Sequence, residues 1–500
     1  MPTRRIGRVL VANRGEIAVR VIRTCRELGI GTVAIYSDAD ARAPHVHMAD
    51  AACRIGPPPA ADSYLRIDAI VEAARRSGAD AVHPGYGFLA ENPLLAEACA
   101  AAGLVFIGPG APTLRLCGDK AAARERARAA GVPLLEGTDP VGDAEAAAAA
   151  ERLGYPVLIK AAAGGGGKGI HVVRAPEELA SALRLARGEA LSAFGDDRVY
   201  LERCLERARH VEVQILADAH GNVVALGERD CSIQRRHQKV IEETPCPVLA
   251  QQTRRRLFDA AVRAVRAVGY TNAGTVEFLY DPSREAFFFL EINARLQVEH
   301  PVTEMVTGLD LVAEQIRIAA GAPMGVQASE EGSVATRGAA IECRIAAEDV
   351  EAHFLPSLGR ITALREPAGP WVRTDAGWYV GMEVTRHYDP MLAKVVVWAP
   401  DRPTAIARMT RALAETVVSG VQTTIPFHLW TLQDASFRSG RYDVRFVEER
   451  WTHRRRPADH LEEAMLAAAA YAFAQRRRTG VARHEPSTLD AWRAVVRDRS

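Results

Sequence analysis

Between Glu291 and Glu299 polar and apolar residues alternate without a break. Glu291, Asn293, Arg295, Gln297 and Glu299 hold the odd positions, and Ile292, Ala294, Leu296 and Val298 the even ones. Successive side chains of a strand point to opposite faces, so the run predicts an extended segment with one face on a core and the other lined by charged and amide groups. Alone, such a run describes any half-exposed strand. A second carboxylate changes its meaning. Glu277 lies between Val276 and Phe278 in an apolar run, and Asp281-Pro282-Ser283-Arg284-Glu285 reads as a turn. Glu277 and Glu291 are equally far from Arg284, so a hairpin folded there sets them opposite, with Cβ atoms roughly 5 Å apart. Two carboxylates that close repel unless a cation or a proton lies between them. With the Asn293 oxygen on the same face, Glu277, Glu291 and Asn293 form an oxygen set suited to Mg²⁺ or Mn²⁺. A carboxyl pair sharing one proton is the alternative.

Two further segments carry candidate chemistry. Lys160 closes the apolar run Val157-Leu158-Ile159 and opens a loop containing Gly164, Gly165, Gly166 and Gly167 before Lys168-Gly169-Ile170. The loop lies between two strands, so it is a hairpin-like flap and not a Walker loop. Its backbone amides can still cradle phosphates, with lysines adding charge; a flexible linker has the same composition. The stretch Glu228 to Lys239 is dense in cations and hydrogen-bond donors. It reads either as a solvated charge run or as a site for phosphates together with a small oxyanion.

The surrounding pattern is that of an α/β and α+β chain. Strand Ile6–Val11, a helix with Ile17, Val21, Ile22, Cys25 and Leu28 on one face, and strands at 32–36 and 79–83 give a βαβα parallel-sheet domain over residues 1–118. No Gly-x-Gly-x-x-Gly follows the first strand, which argues against a nicotinamide domain. A second unit, 119–325, holds the flap, a hairpin over 211–228 and the hairpin at 274–292. A third, 335–450, has short strands and a late helix at 402–416. A tail, 451–500, carries one helix at 459–478. Net charge is +1 over 500 residues, which argues against nucleic acid or an anionic membrane as the main partner. The longest apolar run, 464–474, is far short of the ~20 residues a membrane span needs. Eight scattered cysteines without a Cys-x-x-Cys pair support neither a zinc site nor a disulfide framework, and a reducing cytoplasm is the simpler setting.

Six motifs in order resemble the biotin carboxylase component of biotin-dependent carboxylases: Asn13-Arg14-Gly15-Glu16-Ile17-Ala18, His83-Pro84-Gly85-Tyr86-Gly87-Phe88, Gly118-Asp119-Lys120, Arg235-Arg236-His237-Gln238-Lys239, Glu291 to Glu304, and Glu342-Cys343-Arg344-Ile345. The resemblance runs from about residue 5 to 450, and its long motif is highly specific. It implies an ATP-grasp fold with an N-terminal parallel-sheet domain, a mobile Gly-rich lid subdomain at about 135–203, and a C-terminal biotin carboxylase domain.

The resemblance also implies roles. Lys120, Lys160 and flap residues Gly165, Gly166 and Gly167 would bind ATP phosphates. Glu202 and Leu205 would meet the adenine edge, and His210, Gln234 and His237 the ribose and phosphates. Glu277, Glu291 and Asn293 would hold the metal. Lys239, Arg295, Gln297 and Val298 would bind bicarbonate, with Glu299 as its base, and Tyr86 and Arg344 would face the biotin ring. The implied activity is ATP- and bicarbonate-dependent carboxylation of biotin through carboxyphosphate, the first half-reaction of an acyl-CoA or pyruvate carboxylase. No Met-Lys-Met carrier motif occurs. The implied partners are therefore a separate biotin carboxyl carrier protein, a second copy of the chain and a carboxyltransferase subunit. Two positions depart from the family pattern, Ala346 for an Asn and Leu358 for a Pro, and Ala346 raises the question of what supports Arg344. The competing readings are another ATP-grasp ligase that forms an acyl phosphate, and a non-catalytic regulatory protein.

Overall fold

The structure, a computed structural model, describes residues 3–162, 170–326, 333–454 and 470–471. Residues 1–449 form one compact unit and 450–500 a second. The flap glycines 165–167 lie outside the described residues, as does all of the expected helix 459–478 except 470 and 471.

The first sheet is parallel, as the opening pattern predicts. Strands β1 (Arg8–Val11), β2 (Gly31–Ser37), β3 (Ala51–Gly56), β4 (Ala81–His83) and β5 (Val105–Phe106) lie in the order β3-β2-β1-β4-β5. Val9 and Val11 face one apolar cluster and Leu10 another, which is why β1 is apolar on both faces after Arg8. Helix α1 (Gly15–Glu27) buries Ile17, Val21, Ile22 and Cys25 on the Val9 side. Strand β3 has no clear alternation and was not anticipated.

A small antiparallel sheet follows, β6 (Val157–Ala161), β7 (Ile170–Val173) and β8 (Val199–Arg203), in the order β7-β6-β8. Val157, Ile159, Val173, Leu183 and Leu201 give it a core of its own.

The central feature is an eight-stranded sheet. Its strands are β9 (Arg209–Ala217), β10 (Val223–Arg235), β11 (Gln238–Thr244), β12 (Asn272–Asp281), β13 (Ala286–Asn293), β14 (Ala339–Ala346), β15 (Val372–Ala376) and β16 (Met391–Ala399), ordered β13-β12-β9-β10-β11-β14-β16-β15. It runs without interruption from the second expected unit into the third, because β11 pairs with β14. On β9 and β12, Val211, Val213, Ile215, Val276 and Phe278 pack under helix α2 (Gln251–Ala267) through Leu257, Ala261 and Val265. The intervening residues His210, Glu212, Gln214, Thr275 and Glu277 therefore point to the other face. Helix α3 (His300–Thr307) crosses that face over β10, β11, β14 and β16.

Candidate active site

The sheet register builds the site in rows. Glu212, Glu277 and Glu291 are direct cross-strand partners on β9, β12 and β13, and Gln214, Thr275 and Asn293 form the next row. The expected Glu277–Glu291 opposition is present, by a route the sequence did not show. The turn closes with Asp281 opposite Ala286, one residue tighter than a hairpin centred on Arg284. A bulge between Glu277/Phe278 and their partners, at Leu290, restores the register. Without the bulge Glu291 would lie on the opposite face, since a one-residue slip inverts every side chain.

The alternation does not continue as one strand to Glu299. β13 ends at Asn293. Glu91 then captures the chain, accepting from Ala294 N and Arg295 Nε at 2.9 Å each. Arg295 folds back to donate to Asn293 Oδ1 (3.2 Å) and Gln297 Oε1 (3.0 Å). Glu299 becomes the N-cap of α3, whose first turn contains Pro301. Proline has no N–H to give to a ladder and suits a helix start. The five polar residues still converge, through a turn and a helix terminus instead of one strand face.

Lys239 is the centre of the convergence. Its ammonium donates to Glu212 Oε2 (2.5 Å), Glu277 Oε1 (2.7 Å) and Glu299 Oε1 (2.6 Å). Burial acts to discharge Lys239, but the three carboxylates outweigh it and raise its pKa well above the ordinary lysine range. Burial likewise acts to protonate Glu299; Lys239, then Arg344 and Arg229, hold its carboxyl below the ordinary value instead. Gln297 Nε2 donates to Glu277 at 3.3 Å. His210 Nε2 is 3.3 Å from Glu277 and 3.6 Å from Glu212. Burial disfavours its cation, yet Glu277 lifts it to about 9. Arg229, fully buried, fixes Glu212 at 2.6 Å and also donates to Gln214, Thr275 and Thr303.

Arg344 reaches in from β14. Nη2 donates to Glu299 Oε2 at 2.8 Å and Nε to Glu242 Oε1 at 2.6 Å. Its carbonyl is braced by Thr424 Oγ1 and His428 Nε2, each at 2.8 Å, and Ala346 N donates to Thr424 Oγ1 at 3.0 Å. Support around Arg344 thus runs through the backbone and does not depend on the side chain at 346. Below it Lys394, fully buried, donates to the Val298 carbonyl (2.8 Å) and lies 3.1 Å from Glu16, which accepts from the Tyr86 hydroxyl.

The other expected residues form a second group. Lys120 Nζ lies 3.0 Å from Glu291. Lys160 and Arg124 take one oxygen each of the fully buried Glu202, so that carboxylate already has two partners. Leu205, just beyond β8, is half-buried. Gln234 turns its amide to the Cys231 carbonyl at 2.8 Å, and His237 sits at the β10–β11 tip with φ 64°. Glu277, Glu291 and Asn293 offer three hard oxygens on one face, a donor set that fits a small divalent cation. The ammoniums of Lys239 and Lys120 lie against the Glu277 and Glu291 carboxylates.

Glu212, Arg229, Glu242 and Lys394 were not anticipated. A signal existed for Glu212: His210-Val211-Glu212-Val213-Gln214 alternates just as Glu291–Asn293 does, two strands away.

Comparison with known proteins agrees with this geometry. Three family models match in order: the biotin carboxylase N-terminal domain over residues 5–114, the carbamoyl-phosphate synthase L chain ATP-binding domain over 119–327, and the biotin carboxylase C-terminal domain over 342–449. The chain is 51% identical over 445 residues to biotin carboxylase 1 of Bacillus subtilis, covering 89% of this chain and 98% of that protein. It is 49% identical over 444 residues to the biotin carboxylase of a Nostoc species, covering 88% and 98%. The biotin carboxylase domain dimer of Hydrogenobacter thermophilus 2-oxoglutarate carboxylase, solved with MgADP, ADP and bicarbonate, superposes with a TM-score of 0.86 at 46% identity, covering 90% and 98%. A family resemblance first carried by six short motifs thus extends over almost the whole of these relatives, and the chain belongs to the biotin carboxylase family.

Proposed function

We propose that this chain, an ATP-dependent biotin carboxylase, divides its reaction among three clusters of side chains. The observation that carries the reading is Glu299, whose two carboxylate oxygens are held by Lys239 on one side and Arg344 on the other. A base placed between an anion-binding cation and a second cation on the neighbouring domain can serve both half-steps. Bicarbonate enters beside Lys239, Arg295, Gln297 and Val298 and draws the Lys239 ammonium onto itself. Glu299, relieved of that counter-charge, becomes a stronger base and accepts the bicarbonate proton. The freed oxygen forms a bond to the γ-phosphorus of ATP as the bond to the β-phosphate oxygen breaks, giving ADP and carboxyphosphate.

Lys120 and Lys160 neutralise the phosphates, and the flap glycines 165–167 join them as phosphate ligands. Glu202 and Leu205 border the adenine, and His210, Gln234 and His237 the ribose and phosphates. Because the Glu202 carboxylate is held by Lys160 and Arg124, it orients Lys160 and leaves adenine recognition to the main chain of β8. Glu277, Glu291 and Asn293 hold Mg²⁺ or Mn²⁺, which when bound offsets charge on the transferring phosphate. Carboxyphosphate then breaks to CO₂ and phosphate, and phosphate takes the ureido N–H proton. Arg344 stabilises the negative ureido oxygen, Tyr86 borders the ring, and the nitrogen bonds to CO₂ to give N-carboxybiotin.

The biotin is carried on a separate carrier protein and passes to a carboxyltransferase. The chain pairs as a homodimer and works in the cytoplasm; among the described residues no helix is long and apolar enough to cross a membrane. Bicarbonate-dependent ATP hydrolysis measured with and without free biotin tests the reading. Stimulation by biotin and formation of carboxybiotin are expected. ATP turnover that ignores biotin and follows some other carboxylate would favour an acyl-phosphate ligase instead.

A further inference from the structure

Behind Arg344 two glutamates face each other across the sheet. Glu242 on β11 and Glu342 on β14 are direct cross-strand partners, and both are fully buried. Glu242 Oε1 accepts from Arg344 Nε. Glu242 Oε2 and both oxygens of Glu342 have no hydrogen-bond partner among the described residues. Two carboxyls at cross-strand spacing, away from water, do not both stay ionised. Arg344 selects between them: its contact favours the charged form of Glu242, while Glu342, hydrogen-bonded to no cation among the described residues, keeps the proton. The other titratable groups near the pair are Glu299 at the α3 N-terminus, Lys239 on β11, Cys231 on β10, Cys343 on β14, the Tyr86 hydroxyl, and Lys394 on β16, whose ammonium is turned to Val298 and Glu16.

The arrangement bears on the order of events at Arg344. Its guanidinium is shared by two carboxylates with different fates. Glu299 becomes neutral when it takes the bicarbonate proton, and its hold on Nη2 weakens. Glu242 lies outside the proton transfer, and its Oε1 keeps Nε while also lying 2.6 Å from Nη2.

We propose that Glu242 is a positioning residue that keeps the Arg344 guanidinium in place, through Nε and one side of Nη2, when protonation of Glu299 frees the Nη2 hydrogen turned to Glu299 for the biotin ureido oxygen, with Glu342 as the proton-bearing neighbour that leaves a single negative charge behind Arg344. The proposal rests on the biotin role assigned to Arg344 above.

Burial pushes Glu242 up to about 7 even against Arg344. Glu242 must be ionised to hold the guanidinium, so the biotin-dependent rate should rise with pH through about 7, a limb that biotin-free ATPase lacks. Glu242→Gln, nearly isosteric, should lower kcat for biotin carboxylation at least tenfold at pH 8, raise KM for biotin, abolish that limb, and leave bicarbonate-dependent ATPase within about twofold. Glu242→Asp, which restores the charge, should recover part of the loss. Equal losses in both reactions, or no loss in either, would overturn the proposal. Identical pH profiles for the two reactions of the unmodified chain would overturn it without any variant. Arg344→Ala measured alongside separates the two layers: if it lowers both reactions equally, the biotin role itself fails, and if it splits them while Glu242→Gln does not, only the positioning role fails.

Discussion

Lys239 Nζ donates to Glu299 Oε1 at 2.6 Å. The group proposed to bind the substrate anion and the group proposed to deprotonate it are thus each other's counter-ions. Glu299 can act as a base only once that contact is exchanged for one to bicarbonate. Glu299→Gln should keep nucleotide binding, measured by titration calorimetry, and lower bicarbonate-dependent ATPase by about 10²–10⁴-fold, the range of a general base. Full activity would refute the assignment.

Removing the lysine should be costlier to the fold than removing the base. Lys239→Met leaves Glu212, Glu277 and Glu299 facing one another with no ammonium between them. Breaking one partner out of a buried ionic cluster costs about 3–5 kcal/mol. The expected outcome is loss of turnover together with a clear drop in thermal midpoint. In Lys239→Met/Glu299→Gln part of the stability should return, since one repelling charge is gone, while activity stays absent.

The metal set makes a separate claim. Glu291→Gln should raise the Mg²⁺ concentration for half-maximal ATPase by about tenfold or more, because one of the two anionic ligands in the set is lost. Titration of Mg²⁺ at saturating ATP reads this. An unchanged requirement would mean that the Lys120 contact at 3.0 Å is the main duty of Glu291.

Ala346 stands where the resemblance leads one to expect Asn. Because Thr424 and His428 brace the Arg344 carbonyl, Ala346→Asn should leave biotin carboxylation within about twofold. Thr424→Val, which removes one of those bonds and leaves Ala346 N without the Thr424 hydroxyl it donates to, should lower it and cost about 1–3 kcal/mol of stability. Steady-state kinetics and urea unfolding distinguish the two.

Acid pH should find a specific weak point at His45. Burial lowers it from 6.5 to about 4, with Asp40 and Arg14 beside it. Between those values the unfolded chain binds the proton that the folded chain refuses, so its contribution falls as pH drops. From pH 7 to 5 the stability gap between the unmodified chain and His45→Gln should narrow by about 2 kcal/mol. A constant gap would show that His45 is accessible to protons in the folded state.

Much of this site was legible in the residues. The Glu277–Glu291 pairing follows from a turn placed between two apolar runs, although symmetry about Arg284 held only because a tighter turn and the Leu290 bulge cancel. Alternation predicts strand as far as Glu299 because it carries no signal for the point where Glu91, distant in sequence, pulls the chain aside. Glu242 and Arg344 could not be paired from the sequence at all. They meet because β11 and β14, roughly a hundred residues apart, lie side by side, and nothing local encodes which strand a given edge will find.

The uninterrupted eight-stranded sheet has a practical consequence for building hybrids. Lys239, Glu277 and Arg344 are all carried by its strands, and Glu299 caps the helix laid across it. A chimera of two relatives joined between β11 and β14 would splice through this shared weave, and its parts would have to re-register their hydrogen bonds before Glu242 could meet Arg344 again. The small sheet β7-β6-β8, with its own core, carries Lys160 and Glu202 and brackets the flap glycines in sequence, so it offers a cleaner seam. Exchanging it should retune nucleotide handling while the carboxylation machinery passes intact from parent to hybrid.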